Sequence, residues 1–464
     1  MRVWAANGIA KNRVPHRRAD RPRVLEYPRV LRGRVSDMLR LRRTGVLRIG
    51  YLGVGASLLA ALCFHTVHAR PTGDQIIPKL EAIFAPLADE KSPGFAVLVR
   101  KDGRAIFERG YGVRDLLTLA PIDARTNFRL ASCTKQFTAM AIMLLVHDGK
   151  LRYDETLTEV FLEFPSYGKT ITIRNLLNHT SGLQDYEPLM EQEERSGQHR
   201  WTAENQIQDA EVLTLLEKQN STIFPPGTKW AYSNSGYVLL GSIVAKVSGR
   251  SFGEFLHERI FAPLKMEQTL AYEKGKNEIA NRAFGHSKEA SGWKQTDQSS
   301  TSATLGDGGV YSSLSDLAKW DIGLTQHTLL SETEMRPALT AAQLAGGAQP
   351  VWPADSDRPT GSPVSYGFGW FLDPYRNRSR MWHYGDTMGF HTYIERFAGD
   401  PAGRGALTII VLCNRTDLDP EKLAAQVADL YVGVVVFAPG GASPAPTTDD
   451  ACAFGPSGAL FAPA

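Results

Sequence analysis

The stretch from Thr134 to Val146 constrains this chain more than any other. It reads TKQFTAMAIMLLV, with few polar breaks. A helix built from it is apolar nearly all round and has to lie in the middle of a core. The rest of the chain must therefore close a large hydrophobic interior around it. Its 464 residues, 43% hydrophobic and 22% charged, suffice for one large core or two modest ones. That composition excludes disorder throughout and a multi-span membrane protein.

The segments on either side suggest what surrounds the helix. Gln75 to Leu87 reads as an amphipathic helix with Pro78 and Pro86 near its ends. Phe95 to Arg100 and Ala105 to Tyr111 are strand-like and flank Lys101-Asp102-Gly103-Arg104, whose Asp-Gly pair signals a hairpin. Residues 150–330 alternate helical stretches with Gly/Pro turns, and 343–363 read as a surface loop. Strand-like runs return at Tyr366 to Leu372, Met381 to Tyr384, Phe390 to Phe397 and Ala406 to Cys413, before a helical Pro420 to Val436. Strands and a helix at both ends with helices between predict an α+β fold. Its antiparallel sheet is flanked by helices and carries an inserted all-helical subdomain.

Charge is distributed unevenly. Residues 1–48 hold fourteen Lys/Arg against three Asp/Glu, so the overall +3 conceals a net acidic body. No nucleic-acid partner is expected from such a body. Ile49 to Phe64 is an uncharged apolar run preceded by arginines and followed by Val67-His68-Ala69, the three-part pattern of a secretory signal cleaved after Ala69. The same run, residues 49–64, is also compatible with an uncleaved membrane anchor. Residues 38–69 are thus read as signal or anchor, and the protein as exported, periplasmic or secreted. A normal signal would begin at Met38, so translation is expected to start there and not at the basic 1–37 leader. The folded domain is placed at 70–438, ahead of a disordered Pro/Gly/Ala tail at 439–464. Cys63, Cys133, Cys413 and Cys452 fit neither a zinc set nor a disulfide framework.

Ser132-Cys133-Thr134-Lys135 opens the buried helix. An i, i+3 pair shares a helical face, so the Lys amine can reach the Ser hydroxyl and activate it. A lone S-x-x-K is weak evidence. Ser166-Tyr167-Gly168-Lys169 fits it too but reads as a turn. Gly249-Arg250-Ser251-Phe252-Gly253 fits G-x-S-x-G, yet no strand precedes it. There Gly249 reads as a helix C-cap, and Ser251 with Glu254 as a capping box.

Order distinguishes the first match. Tyr232-Ser233-Asn234 follows about a hundred residues later, and then His383-Tyr384-Gly385. Connecting segments read FRLA before Ser132, LLNHTSGL at 176–183, and GDGGVYSSLSDLAKW at 306–320. Together these resemble the serine β-lactamase and penicillin-binding-protein superfamily, class C branch, over about residues 75–436. The resemblance implies an acyl-enzyme on Ser132, with Lys135 and Tyr232 moving its proton and either one as formal base. Asn234 would bond substrate or Lys135. The oxyanion would lie between the N–H groups of Ser132 and of Asp386, which follows Gly385. No metal or organic cofactor is implied.

His383 stands where the family places Lys or His. Histidine is mostly neutral at pH 7, and Asp386 adds an acidic group nearby. Both disfavour a substrate carboxylate and favour neutral esters, amides, or peptides anchored elsewhere. The expected function is a serine hydrolase of small-molecule or peptide substrates, of the D-amino-acid peptidase or esterase kind. A class C-type β-lactamase or D-Ala-D-Ala carboxypeptidase, and a non-catalytic binding or sensor protein, stay open as alternatives. Oligomeric state is not fixed.

Overall fold

A computed structural model describes residues 73–432 apart from 198–199, 355–357 and 401–402. The expected leader, signal run, start at Met38, cleavage at Ala69 and tail lie outside the described residues.

Both ends of the described region feed one sheet. Strands β1 (Phe95–Lys101) and β2 (Arg104–Tyr111) form the hairpin the Asp-Gly pair predicts. Asp102 and Gly103 both take positive φ, 50° and 77°, as a two-residue primed turn requires. Far along the chain come β3 (Arg380–Thr387), β4 (Phe390–Phe397) and β5 (Leu407–Cys413). The sheet order is β3-β4-β5-β1-β2 and every pair is antiparallel. The helices inserted between β2 and β3 complete the α+β architecture expected.

Alternation along the strands divides the interior in two. Ala96 and Leu98 of β1 join a core shared with the helical region, whereas Phe95, Val97 and Val99 join a second core. That second core lies under helices α1 (Gly73–Phe84) and α4 (Pro420–Tyr431), which supply Leu80, Phe84, Leu423 and Val427. The apolar segment becomes α2 (Lys135–His147), buried from Lys135 through Leu145. It packs against α3 (Asn234–Ser248), which Ser233 caps at one end and Gly249, at φ 72°, at the other. The Ser251–Glu254 capping box is present, so the G-x-S-x-G match is a helix start.

Some expectations need correction. α1 begins at Gly73, which places Pro78 inside the helix and forgoes one i→i−4 bond. Tyr366 to Leu372 is not a strand. Gly369, at φ 75° against the Lys135 carbonyl, turns the chain. Phe368 and Trp370 consequently enter one core while Tyr366 and Phe371 enter the other. Residues 343–363 are mostly irregular but are not purely a surface loop, because Trp352 is buried against Trp230, their ring centroids 5.0 Å apart. The Ser166 turn is a short 3-10 segment, Ser166–Thr170.

Candidate active site

Two short pairings aim Ser132. Phe128–Arg129 pairs with Val310–Ser312, and the Leu130 N–H donates to the Val310 carbonyl at 2.9 Å. The chain then enters a 3-10 turn, Ala131–Thr134, that runs into α2. Ala131 holds a left-handed φ of 47°, a strained conformation for a residue with a Cβ, immediately before Ser132. β3 runs past this turn. A Cβ on Gly385 would come within 2.1 Å of the Leu130 carbonyl and 2.3 Å of Thr392 Oγ1, so only glycine lets the strand lie this close.

Lys135 is fully buried, and its Nζ has three oxygen partners. It donates to Ser132 Oγ at 3.0 Å, Asn234 Oδ1 at 2.8 Å and the Asp307 carbonyl at 2.9 Å. It also lies 4.9 Å from the centre of the Tyr232 ring. Burial lowers the Lys135 pKa to about 8, against the opposing pull of Asp307 and Asp185. Burial moves Tyr232 the other way, well above the usual phenol value. Its hydroxyl faces Ser132 but makes no hydrogen bond of ordinary geometry. In the resting site the amine, and not the phenol, is therefore the group that can be deprotonated near neutral pH.

Two supporting residues, Asp185 and His179, lie outside the three motifs. Asp185 Oδ2 accepts from the N–H groups of Asn234, at 2.6 Å, and Ser235, at 3.5 Å, at the start of α3. Burial raises its pKa. His179 Nδ1 accepts from the Ser233 N–H at 3.1 Å, and its ring lies 4.4 Å from that of Tyr232. Burial keeps it neutral, so it braces the Tyr-Ser-Asn segment.

His383 lies on the same face of β3 as Gly385 but is wholly buried. Its Nδ1 donates to the Tyr384 carbonyl at 2.6 Å, so its Nε2 accepts from the Tyr366 hydroxyl at 3.0 Å. Burial and the nearby Lys135 lower its pKa to about 3. It offers neither a charge nor a free ring nitrogen to a ligand. Asp386 points to the opposite face, largely exposed, and contacts His391 Nε2 at 3.1 Å. Among the described residues no group of acidic, His and Cys side chains could hold a metal ion.

The chain belongs to the β-lactamase family, whose model matches residues 80–432, and it is a β-lactamase-related serine hydrolase. Among its relatives is a penicillin-binding protein of Bacillus subtilis, 30% identical over 75% of this chain and 74% of that one. A D-aminopeptidase of Gluconobacter oxydans is 28% identical over 77% of this chain, which spans 62% of the length of that relative. A solved penicillin-binding protein homologue from Pyrococcus abyssi, octameric, aligns over 76% of this chain and 77% of its own with a TM-score of 0.61 and 26% identity. The D-amino acid amidase of Ochrobactrum anthropi shares the fold, with a TM-score of 0.59 and 23% identity over 76% of this chain and 98% of its own.

Proposed function

We propose that this protein is an exported serine hydrolase that cleaves amide or peptide bonds of D-amino-acid compounds through an acyl-enzyme on Ser132. The observation that carries the reading is the Ser132–Lys135 contact, with the amine brought to about pH 8 by burial. The neutral fraction of Lys135 takes the Ser132 proton as Oγ attacks the carbonyl carbon. The C–O bond forms, and the carbonyl pair moves to an oxygen held by the N–H groups of Ser132 and Asp386. Collapse breaks the C–N bond. Lys135, directly or through the Tyr232 hydroxyl, returns the proton to the departing amine. Water then hydrolyses the ester by the same proton path in reverse.

The neutral, enclosed His383 argues against a site tuned to a substrate carboxylate, and so against an efficient β-lactamase or D-Ala-D-Ala carboxypeptidase. The D-aminopeptidase relatives favour the D-amino-acid class. The leader pattern supports export. Hydrolysis of D- and L-phenylalanine amide and of a cephalosporin should be compared, each with Ser132→Ala as control. Turnover of the D-amide above the L-amide and the cephalosporin, lost in the variant, is expected. Faster cephalosporin turnover, or activity surviving in the variant, would contradict the proposal.

A further inference from the structure

The turn that carries Ser132 is held differently on its two sides. On one side the chain around 310 fixes it. The Leu130 N–H donates to the Val310 carbonyl at 2.9 Å, and the Val310 N–H donates to Thr134 Oγ1 at 3.1 Å. On the other side lie β3 and β4, and among the described residues no backbone hydrogen bond joins residues 130–134 to either strand. Two buried side chains make that connection. The Thr392 hydroxyl of β4 donates to the Leu130 carbonyl at 2.9 Å, and the Cys133 thiol donates to the His383 carbonyl of β3 at 3.3 Å. We infer that Thr392 is a positioning residue: by binding the Leu130 carbonyl it sets the spacing between the Ser132 and Asp386 N–H groups that hold the oxyanion. The inference rests on the acyl-enzyme reading above but not on the D-amino-acid preference.

Register is the first argument. Thr392 stands directly across from Gly385 in the β3–β4 pair. Cross-strand partners share a sheet face, so the missing side chain of Gly385 opens the path from Thr392 to the turn. A Cβ on Gly385 would come within 2.3 Å of Thr392 Oγ1 and block it. A threonine hydroxyl has one proton to give. The Gly385 carbonyl, at 3.4 Å, is the more distant acceptor, so the proton goes to Leu130. Thr392 thus touches the residue two before Ser132 and the residue one before Asp386. These are the two segments whose N–H groups have to converge on one oxygen.

Strain is the second argument. The Leu130 carbonyl also accepts from the Cys133 N–H at 3.1 Å, which closes the turn over Ala131 and Ser132. Ala131, inside that turn, holds its φ of 47°, a cost that surrounding contacts have to offset. Without the Thr392 hydroxyl the Cys133 bond remains, so the turn persists but loses its tie to β4. The Ser132 N–H is then free to drift from that of Asp386. The hydroxyl's partners are Leu130, Gly385 and Cys133, and not Lys135, so the base is left as it was.

Thr392→Val removes the hydroxyl and keeps the shape, and Thr392→Ser keeps the hydroxyl. 4-Nitrophenyl acetate and its thiono analogue, with sulfur in place of the carbonyl oxygen, read the oxyanion site itself, because sulfur accepts hydrogen bonds weakly. Thr392→Val should lower kcat/KM for the oxygen ester by about tenfold or somewhat more, short of the roughly 10²–10³-fold loss typical of deleting an oxyanion donor outright. The thionoester should lose no more than about threefold, having less hydrogen bonding to lose. The oxygen-to-thiono ratio is independent of how much protein is folded. Thr392→Ser should restore most of the oxygen-ester rate, and the acid limb near pH 8 should stay in place in both variants. Equal losses for the two esters, an oxygen ester unaffected by Thr392→Val, no rescue by Thr392→Ser, or a displaced limb would overturn the inference. Absence of any acyl adduct on Ser132 in the unaltered protein would overturn the acyl-enzyme reading and this inference with it.

Discussion

The two faces of the sheet are made from alternate residues of the same strands and do opposite work. Under α1 and α4 the interior is aromatic and aliphatic, with Phe84, Phe95 and Phe107 in ring contact. On the other face the core surrounds a buried amine, an amide side chain, a neutral histidine and a carboxylate whose pKa burial has raised. Apolar burial stabilises the first face. The second carries buried polar groups whose desolvation costs stability and is offset only where partners are in place. That is where a lysine can be brought into the range of a general base. The chemistry sits among those buried polar groups, around Lys135.

Exchanging the two kinds of residue sharpens this contrast. Lys135→Met should lower kcat/KM by about 10²–10⁴-fold, the contribution typical of a positioned general acid–base group. Its urea midpoint should correspond to a stability change of no more than about 1 kcal/mol. The relief of an isolated buried charge is offset by acceptors on Asn234 and Asp307 left without a donor. Phe95→Ala should behave in reverse, costing about 3–5 kcal/mol by urea titration while kcat/KM per folded molecule stays within about twofold. A large stability loss in Lys135→Met, or an activity loss in Phe95→Ala, would break the division of labour.

Asp185→Asn probes the electrostatics more finely. Asp185 holds the Lys135 pKa up, so its neutralisation should move the acid limb of the kcat/KM profile below about 8. A limb that stays in place would show that Asp185 acts only on the α3 N-terminus. The smallest effect belongs to Asp386→Asn. The contact with Asp386 raises the His391 pKa above its ordinary value. The stability it contributes is therefore fully present below the unfolded value of about 6.5 and lost as pH rises through the folded one. The variant should cost about 0.5 kcal/mol at acid pH and nothing measurable well above neutrality.

How far the sequence could be read follows the same contrast. The 102–103 turn, the all-apolar α2, the caps at Ser251 and Gly249, and the strand at Phe390–Phe397 are local in origin and legible. Tyr366 to Leu372 misled because its aromatics look like a strand but are divided between two cores by Gly369, a tertiary fact. At the site, Ser132 and Lys135 are legible as neighbours on a helix. The Asp307 contact runs through a backbone carbonyl 172 residues from Lys135, and Asp185 acts on backbone N–H groups 49 and 50 residues away. Neither leaves a pattern in side-chain identity.

Peptide-mapped mass spectrometry of the protein acid-quenched during turnover of an activated ester tests the central claim most directly. An acyl adduct on the peptide containing Ser132 is predicted, forming faster as pH rises through about 8 and absent from Ser132→Ala. An adduct on any other residue, or continued turnover in Ser132→Ala, would contradict it.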